Sequence, residues 1–167
     1  MKKHLILLPI VIFFYSCCSN NKETNNSYQA NISKLAPWIE KNFIKEVNLK
    51  DKKFVAYIDS SKEFSYGFRA YLKDINVSNP KKIKASCEVL PFNIPSNVQL
   101  VLEMKENDTN IFWKSEKITN GVAGEWKQII LEANIPQNLN PNVLILVYLW
   151  SPSKETAFAD NFTITFE

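Results

Sequence analysis

The sequence predicts an all-β protein: a two-sheet antiparallel β-sandwich, or jelly roll, of about eight strands. From residue 54 onward, apolar and polar residues alternate in short runs, as they do in strands with one face on a core. The runs recur at short, even spacing, which suits a sandwich closed by hairpins and crossovers. Between them lie clusters of turn-forming residues: Ser78-Asn79-Pro80, Pro91 to Ser96, Glu106 to Asn110, Asn120 to Gly124, Pro136 to Pro141 and Ser151 to Glu155.

The chain begins with Lys2 and Lys3, then an apolar run from Leu5 to Tyr15, then Ser16 and Cys17. A positive flank, a greasy middle and a small residue before a cut form the layout of a secretory signal. The run is shorter than the roughly 20 residues needed to cross a bilayer, so residues 1–16 read as a cleaved signal rather than a membrane span. Cys17, placed directly after a small residue, resembles the lipobox cysteine of bacterial lipoproteins, which is acylated and becomes the first residue of the mature protein. Cys18 is the alternative, with a cysteine instead of a serine before the cut. Acyl chains hold a protein on a membrane because each buried methylene contributes about 0.8 kcal/mol. The residue after Cys17 is Cys18 and not an aspartate, which favours the outer membrane of the cell envelope.

Residues 17–30 are rich in Ser, Asn, Lys, Glu and Thr. Such a composition buries too little surface to offset its ordering entropy, so a flexible tether is expected. Residues 31–53 are ambiguous. Pro37 followed by Trp38-Ile39-Glu40-Lys41 permits a short helix, and an irregular first strand fits equally well.

Residues 54–167 should then form the sandwich, with strands at 54–59, 64–72, 82–90, 98–104, 111–117, 126–132, 143–150 and 161–166. Alternation places Phe64, Tyr66, Phe68, Ala70 and Leu72 inside, and Arg69 and Tyr71 outside. By the same rule Ile83, Ala85, Cys87 and Val89 face inward, with Val98, Leu100, Leu102, Met104, Phe162, Ile164 and Phe166. The strand over 143–150 is apolar on both faces, as expected of a central strand or of one whose second face meets a ligand.

Composition excludes several kinds of chemistry. The only histidine, His4, lies in the signal. The mature chain therefore lacks Ser-His-Asp triads, histidine bases and histidine metal sites. Once Lys2 and Lys3 are removed, 18 bases face 17 acids, which provides no electrostatic footprint for nucleic acid. Acidic residues are plentiful, but none stands in a glycosidase-like motif, so no catalytic residue is assigned and a non-enzyme is expected. Cys87 reads as a small buried hydrophobe.

The C-terminal third carries more specific signals. Glu125-Trp126 through Leu131, Ile135-Pro136, Val147-Tyr148-Leu149-Trp150 and Phe158-Ala159-Asp160-Asn161-Phe162-Thr163-Ile164 together resemble the end of carbohydrate-binding-module-like jelly rolls of the galactose-binding-like class. The resemblance implies a non-catalytic domain that recognises a glycan or another envelope component. The alternative is a structural or assembly lipoprotein whose sandwich packs on a partner protein and has no sugar site. If the sheet follows the jelly-roll order, the strand ending at Trp150 lies between those carrying Arg69 and Gln99. Arg69, Tyr71, Gln99, Glu103, Tyr148 and Trp150 then share one outer face. Aromatic bodies with polar tips suit sugar rings and their hydroxyls. The plainer expectations are an Arg69 paired with a surface carboxylate, and Trp113 and Trp126 packed in the core. Tyr148 and Trp150 fit either place. The resemblance also makes Asp160 a candidate ligand of a structural calcium, the one cofactor implied, although calcium wants about six to eight oxygens. A turn formed by Asp160 and Asn161 explains the same residues.

Overall fold

In the computed structural model, residues 27–30, 44–49, 52–65, 67–75, 77 and 79–167 are described; the signal, Cys17 and the Pro37 segment lie outside them. The described residues form ten strands: β1 (Ser27–Ala30), β2 (Ile44–Leu49), β3 (Lys52–Ile58), β4 (Phe68–Tyr71), β5 (Lys82–Pro91), β6 (Gln99–Glu106), β7 (Thr109–Lys117), β8 (Lys127–Asn134), β9 (Leu144–Trp150) and β10 (Ala157–Phe166). They pair antiparallel in two sheets. One has the order β2-β3-β10-β5-β8 with β1 also on β10, and the other has the order β4-β9-β6-β7. The all-β sandwich is therefore confirmed, with two strands more than the sequence suggested.

Strict alternation builds the core. In β5, Ile83, Ala85, Cys87 and Val89 are buried, and in β8 Ile129, Leu131 and Ala133. Across the interior they meet Leu100, Leu102 and Met104 of β6 and Ile145, Val147 and Leu149 of β9, with Phe162, Ile164 and Phe166 of β10 completing the layer. Period-two patterning of this kind puts successive side chains on opposite faces. The Cys87 thiol is fully enclosed, and burial, with a smaller effect from the neighbouring Glu88 charge, holds it far above its ordinary pKa. Lys114 of edge strand β7 donates from Nζ to the carbonyl of Glu132 on β8 at 2.7 Å, tying the two sheets along one side.

Three expectations are corrected, and part of one segment left open is decided. Ser27–Ala30, assigned to the tether, form β1 and pair with Thr165–Phe162 of β10. The aromatic Tyr28 packs against Phe68 and Phe166, at ring distances of 5.5 and 5.8 Å, and this burial orders the segment. Of the ambiguous segment, 44–49 is strand and pairs with β3. The last strand begins at Ala157, and Asp160 and Asn161 lie within it. The β5 register shifts between Asp160 and Thr163, and Asn161 takes a left-handed φ of 52° there, a conformation asparagine tolerates well at a bulge.

Phe64 is the third correction. It is 42% exposed and bridges to Trp150, whereas Phe68 pairs with Val147. One residue has been gained between those pairs, and a one-residue offset inverts the faces. The buried Ser65 explains the offset: its N–H donates to the Leu149 carbonyl and its Oγ accepts the Leu149 N–H. Gly67 is the second cause. A Cβ there would lie 2.5 Å from the Val147 carbonyl oxygen and 2.9 Å from the Phe162 ring, so the chain passes β9 too closely for any side chain. Gly67→Ala should lower unfolding stability by about 1–3 kcal/mol, the range for overpacking a tight site, measured by urea denaturation of the full chain.

Candidate functional site

The sheet β4-β9-β6-β7 presents its outer face through a fixed register. Arg69 lies opposite Leu146 and Tyr71 opposite Leu144. On the other side of β9, Glu103 lies opposite Leu146, Val101 opposite Tyr148 and Gln99 opposite Trp150. β7 then sets Trp113 beside Glu103 and Ser115 beside Val101. All six residues expected on the outer face project from this one surface. It unites Gln99, Glu103, Tyr148 and Trp150 closely, with Arg69 flanking Leu146 and Tyr71 at the far end beside Leu144.

The centre is a cluster of four rings. Phe64 stacks on Trp150 at 6.3 Å and 8°, and meets Tyr148 edge-on at 5.8 Å. Trp113 meets Trp150 edge-on at 6.1 Å. Offset stacks and edge contacts of this kind suit the ring quadrupoles. Trp113, expected in the core, is 45% exposed. Adjacent Phe112 takes the inward position against the core, and neighbours on a strand cannot share a face. That Phe-Trp adjacency was the available signal for Trp113; for Phe64 there was none, because the offset depends on Ser65 and Gly67.

Polar groups thread the rings. The Tyr148 hydroxyl donates to Glu103 Oε2 at 2.8 Å. Asn110 donates to Glu103 Oε1 at 3.4 Å, and the Lys105 ammonium stands 3.2 Å from the same oxygen. Burial, reinforced by the bond to Glu103 and its charge, raises the phenol of Tyr148 well above its ordinary pKa, so it remains a hydrogen-bond donor at physiological pH. Ser115 donates to Gln99 Oε1 at 2.7 Å. The Trp150 indole N–H is buried and meets no acceptor among the described residues.

Beside the rings lies a hollow of about 580 Å³, walled by Phe64, Tyr148, Glu103, Leu146, Lys62 and Lys105 among others. A second, of about 420 Å³, adjoins it through Lys105 and is lined by Tyr71, Lys73, Asn142 and Leu144. An aromatic floor with a few placed polar groups is the form of a small-molecule or glycan site.

Asp160 stands on the other sheet, away from this surface. Its side chain is 3% exposed, and its Oδ2 accepts from Lys52 Nζ at 2.8 Å; the same ammonium lies 2.6 Å from Glu88 Oε2. Asn161 Nδ2 also donates to Glu88, and the Trp126 ring covers the ammonium at 4.9 Å. Trp126 is half-buried against a small satellite cluster of Val55, Leu90 and Phe158, outside the main core. At Asp160, the candidate calcium ligand, a lysine ammonium holds the carboxylate, and among the described residues no three acid, histidine or cysteine groups converge.

No protein-family model matches the chain. No curated protein matches it either. Among solved structures, a CBM22-2 xylan-binding domain from Paenibacillus barcinonensis superposes with a TM-score of 0.54 at 14% identity, over 84% of this chain and 99% of that one. The tandem CBM22-1–CBM22-2 domain of the same protein gives a TM-score of 0.50 at 12% identity, over 83% of this chain and 44% of that one. The chain has the fold of a carbohydrate-binding-module jelly roll.

The jelly roll is also held by surface carboxylates. The hydrogen bond from Lys52 holds the Glu88 carboxyl below its ordinary pKa, against an opposing effect of burial. Hydrogen bonds from Lys82 and Lys84 bring Glu132 from 4.5 to about 2. Depressed carboxyl pKa values contribute stability that is complete above the unfolded value and lost as pH falls through the folded one. The melting temperature should therefore hold above about pH 5 and fall as pH drops from 4.5 towards 2. Glu132→Gln should flatten the lower part of that fall in calorimetric scans.

Proposed function

We propose that this chain is a non-catalytic glycan-binding module, carried at the cell envelope by lipid on Cys17. The observation that carries the reading is the ring cluster Phe64, Trp113, Tyr148 and Trp150 on the outer sheet face, with Glu103 and Gln99 set among the rings. Exposed aromatic faces accept the apolar faces of sugar rings, and the bonds of Glu103 to Tyr148 and of Gln99 to Ser115 fix the polar groups among the rings. The likeness to a xylan-binding domain supports the same reading. The anchoring rests on the signal and lipobox pattern of residues 1–17. Among the described residues no helix is long and apolar enough to cross a membrane.

A glycan array followed by calorimetric titration tests the sugar site. Trp113→Ala should weaken binding of any captured glycan at least about tenfold, the scale of an aromatic anchor, and Trp150→Ala should act in the same direction. Absence of any bound glycan, or binding unaffected by both changes, would sink the site and leave the packing of the sandwich on a partner protein as the better account. For the anchor, Cys17→Ser should abolish the lipid mass and release the protein from membranes on fractionation. Unchanged partition would refute it.

A further inference from the structure

The charge around the two hollows narrows the class of glycan. Three lysines line them, Lys62 and Lys105 at the first and Lys105 and Lys73 at the second; a fourth cation, Arg69, lies outside both linings, on β4 opposite Leu146, which lines the first. Three of the four already have partners. The Lys62 ammonium donates to the Tyr57 hydroxyl at 2.8 Å, Lys73 to Asn142 Oδ1 at 3.0 Å, and Lys105 faces Glu103. Arg69 differs. It is exposed, and its guanidinium makes no ion pair or side-chain hydrogen bond among the described residues. Among the described residues no carboxylate pairs with it, against the plainer expectation of a surface ion pair.

Three acids line the hollows, Glu63 and Glu103 at the first and Asp108 at the second, and the one that faces Arg69 across β9 is already engaged. Glu103 is 8% exposed, and its oxygens are taken by Tyr148, Asn110 and Lys105. Across β9, the Arg69 and Glu103 backbones stand two strand spacings apart, about 10 Å, with Leu146 between them. A sugar lying over Leu146 would therefore have an unpaired planar fork on one side and a closed carboxylate network on the other. A guanidinium matches a carboxylate with two parallel hydrogen bonds, a geometry a lysine cannot reproduce.

We propose that the ligand of this face is an acidic polysaccharide, and that Arg69 reads the carboxylate of a uronate residue seated over Leu146. The proposal rests on the sheet face being a glycan site, and it adds the charge of the glycan.

The test uses calorimetric titration of the full chain, with polygalacturonate and alginate as carboxylated probes. Fully methyl-esterified polygalacturonate and xylan serve as neutral probes, and dextran sulfate supplies a non-planar anion. A carboxylated probe should bind at least about tenfold more tightly than its neutral counterpart, the strength of one charge-assisted contact. Arg69→Gln should remove that preference, and Arg69→Lys should restore only part of it, with melting temperatures unchanged in both. Neutral probes that bind as tightly as the acids, or Arg69→Gln without effect on the preference, would overturn the acidic reading while leaving the glycan site standing. Equal capture of dextran sulfate would overturn carboxylate recognition. Binding of no probe at all would remove both.

Discussion

The pairing of β9 with β6 is the constraint on which the outer face depends. Gln99 lies opposite Trp150 and Glu103 opposite Leu146, so the rings and the carboxylate sit on the surface while Leu100, Leu102, Val147 and Leu149 fill the core. Because side chains alternate with period two, a slip of one residue would exchange the two sets. The core residues prevent the slip, and the hydrophobic interior thereby sets the geometry of the binding surface. The Tyr148–Glu103 bond spans the same pair of strands and adds a directional contact to a register already fixed by burial.

Most of the sandwich was legible because its strands obey one rule. The inward residues expected of β5 (Ile83, Ala85, Cys87, Val89), β6 (Leu100, Leu102, Met104) and the end of β10 (Phe162, Ile164, Phe166) are all buried. The neighbour order that places β9 between β4 and β6 followed from the jelly-roll pattern and put Arg69, Tyr71, Gln99, Glu103, Tyr148 and Trp150 on one surface. The rule failed where backbone irregularity intervenes. Ser65 satisfies Leu149 on both its backbone and its side chain, Gly67 passes under Val147, and the parity of Phe64 inverts as a result. β1 was hidden for another reason: its four residues are polar except for Tyr28 and Ala30, and its order comes from a ring that packs on residues 40 and more than 130 positions away.

The two sheets divide the labour. The four-stranded sheet exposes Phe64, Tyr71 and Trp113, whereas on the other sheet Lys45, Lys52 and Lys53 lie over aromatic rings. Lys52 shows why Asp160 serves structure there: its ammonium joins β3 to β10 and β5 through Asp160 and Glu88. An ammonium enclosed by two carboxylates and an indole face is largely removed from water, and such a group persists only when its partners are held in place. The bulge at Asn161 helps hold them by sending its amide to Glu88.

Cys87 sits in the middle of β5 behind both layers, with its thiol kept protonated by enclosure. Alkylating reagents act on exposed thiolate, so this sulfur can be modified only during the brief intervals when the layers part. It is a built-in clock for breathing of the fold: under native conditions its rate of labelling counts those intervals, and a ligand clamped across β4, β9 and β6 would slow the count without touching the cysteine.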